Sequence, residues 1–265
     1  VWRALYWTGI PLQGVLLTAA PIREAGAATL GAALAILALL VPAGVYARRR
    51  FRDRREGAAF TLSVYWGNLG WLGLPASAAV FGTDALPAAV LYMAVAAAPQ
   101  HFLVGPTLAA HAAGSGGPSG PRGWARAAAR NHYLPVTVLG VAYAAAGLPA
   151  PGPLLDAAEA VVIAQAAPAF FAFGIVMVRA ARRVDRDLFA AVGGRMVLGP
   201  AALVPVAALV EVPQAFWLQA AAASGMTPLA LAAQHGLPRE RLAAAVLWST
   251  VLFAGLAVTL VLAGA

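Results

Sequence analysis

The sequence predicts an all-α polytopic membrane protein, on three observations. Of its 265 residues 62% are hydrophobic and only 11% are charged, with mean hydropathy +0.78. A soluble domain has about 45–50% apolar and about 25% charged residues. The apolar residues fall into stretches near the ~20 residues that a helix needs to cross a bilayer. Finally, every basic residue apart from the histidines is arginine, and the arginines gather in alternate connections.

Nine spans are expected. They cover about 5–20, 26–47, 58–81, 86–109, 133–147, 154–178, 188–210, 213–234 and 242–263. Each ends at arginines or at Pro/Gly punctuation, which a helix in lipid does not tolerate without internal partners. A Gly/Ser/Pro linker at 114–121 follows the fourth span. It divides the chain into a first unit at 1–111, a connecting segment at 112–130 and a second unit at 131–265. Trp2, Trp7, Trp124 and Trp217 near span ends fit interfacial anchors.

The net charge is 18 − 10 = +8. Six arginines lie at 48–55 after span two. Arg122, Arg126 and Arg130 follow span four; Arg179, Arg182, Arg183 and Arg186 follow span six; Arg239 and Arg241 follow span eight. With Arg3 these fall on one side of the membrane, and only Arg23 falls opposite. The asymmetry predicts a cytoplasmic N-terminus and an outer C-terminus in a cell inner membrane. It also accounts for the basic charge without nucleic acid, so no nucleic-acid partner is expected. The absence of cysteine excludes disulfides and thiol chemistry. The histidines at 101, 111, 132 and 235 show no i, i+4 pair, so neither a metal nor a cofactor is expected.

Span three is the unusual one. Asn68, Gly70, Gly73 and Pro75 fall within eight residues in its middle. Pro75 lacks an N–H and clashes with the preceding turn, so the helix is expected to break there. Broken backbone inside a bilayer lines a polar cavity or is buried in protein, and secondary transporters build substrate sites from it. Span eight repeats the feature with Ser224, Gly225, Met226, Thr227 and Pro228. Spans three and eight run in opposite directions, as an inverted repeat requires.

These pieces resemble the auxin efflux carrier family, which includes plant PIN carriers and bacterial relatives assigned to malonate and other organic acids. The residues 67–75, GNLGWLGLP, are similar to the family's first crossover. The segment 168–175, PAFFAFGI, resembles part of its seventh helix. The run from Ala223 to Pro228, and on to His235-Gly236, resembles its second crossover. The resemblance implies a ten-helix fold like that of NhaA and bile-acid carriers, with two broken crossover helices and elevator-type alternating access. Nine spans are present, and the family's first helix is the one expected to be missing. The resemblance also implies a homodimer through scaffold helices and a small organic anion, auxin-like or malonate-like, as substrate.

The expected substrate-binding residues are Asn68, Gly70, Gly73, Pro75, Ser224, Gly225, Thr227 and Pro228. Helix segments starting at Pro75 and Pro228 would aim N–H donors and partial positive charge at a carboxylate. Asn68 would donate an amide hydrogen bond, or else bond a neighbouring helix. Ser224 and Thr227 would add hydroxyls, or pack. Gln100, His101 and Arg195 are candidates for a proton or anion relay. The alternative for His101 is a neutral, hydrogen-bonded core residue, and for Arg195 a side chain that snorkels to the interface. No carboxylate lies at a predicted midplane, which argues against an aspartate-driven ion exchanger. A sodium- or proton-coupled carrier of the same fold is the alternative function. An intramembrane enzyme using Ser224 with His101 or His235 is less favoured, because nothing in the sequence places them together.

Overall fold

The computed structural model describes residues 11–22, 25–114, 122–123, 133–149, 152–164, 167, 171, 174 and 184–264. Several expectations lie outside these residues. They include the start of span one, the end of span six with Gln165, and most of the 168–175 segment. Arg3, Arg23, Glu24, Arg126, Arg130, Arg179, Arg182, Arg183, Trp2, Trp7, Trp124 and His132 lie outside them too, as does most of the linker.

The described chain is helical almost throughout. A helix over 11–17 (α1) precedes α2 (Gly26–Ala38) and α3 (Leu40–Arg50). Leu39 between them keeps helical angles, so α2 and α3 form one apolar rod of 25 residues. Asp53 starts α4 (Arg54–Tyr65), its carboxylate accepting the Arg55 N–H at 2.9 Å. A side-chain oxygen at this position satisfies one of the orphan donors of the first turn. A π-helical turn (Leu69–Gly73) then leads into α5 (Leu74–Phe81). After a 3₁₀ turn come α6 (Leu86–Pro99), a second π-helical turn (Gln100–Val104) and α7 (Gly105–Ala112).

The second half holds α8 (Tyr133–Ala145), α9 (Gly152–Ala164), α10 (Arg186–Ala201) and the short α11 (Val204–Ala207). They are followed by α12 (Gln214–Ala220), α13 (Thr227–His235) and the 25-residue α14 (Arg239–Ala263). Among the described residues three stretches are long and apolar enough to span a bilayer: Gly26–Arg50, Arg186–Ala207 and Arg239–Ala263. They coincide with expected spans two, seven and nine. Expected spans three, four and eight are instead assembled from shorter pieces.

One expectation needs correction. The first break is not at Pro75 but seven to nine residues earlier, at 66–68, where the backbone leaves the helix. Pro75 sits inside continuous helix, in the first turn of α5. The π-turn explains how. Proline's ring collides with the carbonyl four residues back in an α-helix. The wider π-turn shifts bonding to five residues, as in Gly73 N–H to Asn68 O at 3.0 Å, and moves that carbonyl aside. The same device recurs in α7, where the second π-turn precedes Gly105-Pro106.

α4 lies at the centre, packed on α3, α7, α10 and α14. Association in lipid rests on close packing of small residues rather than on a hydrophobic drive. Gly199 on α10 shows this: an added Cβ would collide with the Ala220 carbonyl at the end of α12. One end of the bundle is tied by ions. Arg50 Nε and the Tyr46 hydroxyl both donate to Asp187 Oδ1, at 2.8 and 3.0 Å. Arg241 Nε donates to Glu56 Oε2 at 2.6 Å, with its guanidinium 4.6 Å from the Phe51 ring centre. Four helices, α3, α4, α10 and α14, meet in this cluster.

Candidate functional site

The two breaks, so far apart in sequence, lie against each other. Gly67 and Ser224 form an antiparallel β-bridge. The Asn68 N–H donates to Ala223 O at 2.7 Å, and the Gly225 N–H donates to Trp66 O at 2.6 Å. Each non-helical stretch therefore satisfies the other's backbone, which is what buried polar groups away from water require. The bridge needs small residues: a Cβ on Gly67 would press on the Arg195 guanidinium, and one on Gly225 on the Trp66 ring.

Four helix ends converge on this crossing, and they are treated differently. The C-terminal ends of α4 and α12 carry unpaired carbonyls and partial negative charge. Donors meet them. Ser224 Oγ donates to Ser63 O at 2.7 Å, and Gln100 Nε2 donates to Tyr65 O at 3.0 Å. Arg195 Nε donates to Ala222 O at 2.8 Å, and its Nη2 to Gln219 O at 3.3 Å. Arg195 is 1% exposed, so it does not snorkel; its charge is held against the end of α12.

The N-terminal ends, by contrast, face a cavity. It has a volume of about 40 Å³, room for a few waters. Trp66, Gly67, Asn68, Leu69, Gly70 and Trp71 line one wall, at the start of the first π-turn. Gly225, Met226 and Thr227, at the start of α13, line another, and Met93, Ala97, Gln100 and His101 complete it. Asn68 is 4% exposed, and its carboxamide has no hydrogen-bond partner among the described residues. His101 Nδ1 lies 2.9 Å from Ala97 O. A carbonyl only accepts, so Nδ1 carries the proton. The imidazole also meets the Trp66 ring, with centres 4.6 Å apart.

The expected site residues thus divide. Asn68, Gly70, Gly225, Thr227, Gln100 and His101 line the cavity. Gly73, Pro75, Ser224, Pro228 and Arg195 do not. Ser224 is completely buried, and its backbone N–H is bonded by Ser249 Oγ at 2.9 Å. Its hydroxyl donates to the Ser63 carbonyl at 2.7 Å.

Two buried residues near the crossing, Gln13 and Tyr65, escape a reading of motifs alone; Gln219, which the sequence marks as a helix-packing or interface residue, is buried there with them. A Cβ on Gly70 would meet the Gln13 carboxamide, and one on Gly73 would collide with the Gln219 carboxamide. Among the described residues, both Gln219 side-chain polar atoms, Gln13 Oε1 and the Tyr65 hydroxyl are buried without partners. The glycines at 67, 70 and 73 therefore each seat one polar side chain: Arg195, Gln13 and Gln219. For Gln13 a signal existed, since a glutamine in an apolar span is costly unless it faces the bundle interior.

No protein-family model matches the chain. It is 28% identical over 233 residues to a protein of Rhizobium meliloti (strain 1021) named "Putative malonate transporter". The match covers 84% of this chain and 72% of that protein. Similarity to a protein named as a transporter thus extends over most of the chain, in an all-α protein whose long apolar helices are those of a membrane protein.

Proposed function

We propose that this protein is a secondary transporter of small organic anions, with its binding site at the crossing of the two breaks. The observation that carries the reading is the cavity where two helix N-terminal ends converge beside the unpartnered Asn68 carboxamide. N-terminal dipoles and an amide donor favour a carboxylate. The carbonyls at the C-terminal ends of α4 and α12, by contrast, already accept side-chain donors.

The similarity to a protein named for malonate transport supports a dicarboxylate such as malonate as the first substrate to try. We read the fold as an inverted repeat of the auxin efflux carrier kind, its two units being 1–111 and 131–265. Alternating access would move the crossing as a body, and the clustered arginines would face the cytoplasm of a cell with this protein in its inner membrane. Single cysteines at Ala113 and Pro149 test the orientation in a chain with no native thiol. Ala113→Cys should label only from the cytoplasm and Pro149→Cys only from outside, and the reverse pattern rejects it.

The functional test uses the purified chain in liposomes. Saturable uptake of radiolabelled malonate or another small carboxylate is expected, competed by unlabelled organic acids. Flux equal to that of empty liposomes across a panel of mono- and dicarboxylates would reject the proposal.

A further inference from the structure

A second, larger concavity lies away from the crossing, between α3, α4 and α7. Its volume is about 640 Å³, within the range of ligand sites. Its composition changes along its length. At one end are Arg48 at the end of α3, Asp53 and Arg54 at the start of α4, and His111 in the last turn of α7. At the other are Leu40, Gly44, Leu103 and Val104. Leu103 is 52% exposed, so the apolar end opens outward from the bundle.

The register sets the length. From Leu40 to Arg48 is eight residues of helix, about 12 Å at ~1.5 Å per residue. One leaflet of bilayer hydrocarbon is about half of ~30 Å. The groove is therefore an apolar channel of nearly one leaflet's depth with a basic rim. Arg48 and Arg54 are exposed, and among the described residues neither has an ion-pair partner, unlike Arg50 and Arg241 nearby. The one carboxylate on the rim, Asp53, already accepts the Arg55 N–H as the cap of α4.

We propose that this groove binds an anionic phospholipid, with the phosphate at Arg48 and Arg54 beside His111 and an acyl chain along Leu40, Gly44 and Leu103. Basic pockets between membrane helices are the physical form of such sites. The groove is lined by α4 down to Thr61, just over one turn before the first break, so an occupied groove buttresses the helix that leads into the break holding Asn68.

The test uses the full chain, delipidated in detergent and titrated with dioleoyl phosphatidylglycerol or dioleoyl phosphatidylcholine, with bound lipid counted by native mass spectrometry. Phosphatidylglycerol should be retained preferentially. Arg48→Ala with Arg54→Ala should weaken it roughly thirtyfold, each arginine contributing about fivefold. Gly44→Leu keeps every charge and fills the channel, and an added Cβ there meets nothing within 4 Å. It should lose lipid as well, and it tests the site even if the arginine pair proves necessary for folding. Equal retention of phosphatidylcholine would overturn the proposal. So would an equal loss on replacing Arg49 and Arg52, which lie off the groove, because that would mean diffuse surface attraction. Displacement by glycerol 3-phosphate alone would reduce the site to a phosphate site, and displacement by malonate would make it a substrate entry path; either result rejects the lipid.

Discussion

At the first break, 66–68, the chain places on the cavity wall the start of a π-turn and a carboxamide unpartnered among the described residues. At the second, 221–226, it places hydroxyl and backbone groups that are already spoken for: Ser224 bonds Ser63, Ser249 bonds Ser224, and Arg195 bonds Ala222 and Gln219. Both breaks satisfy the same rule, that backbone leaving a helix inside a membrane must find partners. They satisfy it with opposite surpluses. The first leaves the Asn68 carboxamide facing the cavity, and the second commits the Ser224 side chain to the crossing. Similar sequence punctuation, Gly and Pro in mid-span, thus brings a helix start to the cavity at both breaks, while the first adds the Asn68 carboxamide there and the second commits the Ser224 hydroxyl to the crossing.

Arg195→Ala should break the comparison most severely. It removes the donors for two buried carbonyls, at about 1–3 kcal/mol each, so stability should fall by about 2–6 kcal/mol. Thermal unfolding of the detergent-solubilised protein measures this, and Arg195→Lys should restore only part of it, since an ammonium lacks the planar fork. A variant of normal stability with weakened substrate binding would move Arg195 from construction to recognition.

Asn68→Asp should be next and should act on affinity. The change replaces an amide donor by an acceptor and, when ionised, adds a like charge beside the carboxylate. Loss of a hydrogen bond to a charged group costs about 1.5–3 kcal/mol, a tenfold to hundredfold weakening. Protonation relieves the repulsion, so part of the affinity should return as the pH falls from 8 to 5. Binding titrations across that range are the measurement, and wild-type affinity throughout would take Asn68 out of the site.

Ser224→Ala should have the smallest effect and the opposite character. Losing the hydrogen bond to Ser63 O should lower stability by about 0.5–1.5 kcal/mol and leave the affinity of the folded fraction unchanged. If affinity dropped while the melting temperature held, the two breaks would be functional equals.

Much of this was legible in the residues. Hydropathy and arginine spacing located the long helices, and Gly/Pro clusters located both broken spans. What was not legible was the position of the first break. Pro75 reads as a breaker because the ring conflicts with an α-turn, and only the π-turn at 69–73, a matter of tertiary packing, removes the conflict. Gly105-Pro106 hid the same device. The site divided along a similar line. Residue type marked both Asn68 and Ser224 as polar groups near a break. Whether a polar group is free or engaged depends on partners from distant helices, and no local pattern reports that.

The bridge between the breaks also bears on how the protein is made. Ser63 and the Ser224 that bonds it are 161 residues apart. At about 5–20 residues per second, the second break follows the first by roughly 8–30 s of synthesis. Throughout that interval the Trp66 carbonyl is without the Gly225 amide, and the Asn68 amide without the Ala223 carbonyl, that finally pair with them. The first half must therefore wait in the membrane, either as a straighter helix or sheltered by the insertion machinery, and it bends only when its counterpart arrives. The crossing is thus a late event in biogenesis as well as the centre of the finished molecule, and a chain stalled between the two breaks would expose an unfinished backbone for quality control to find.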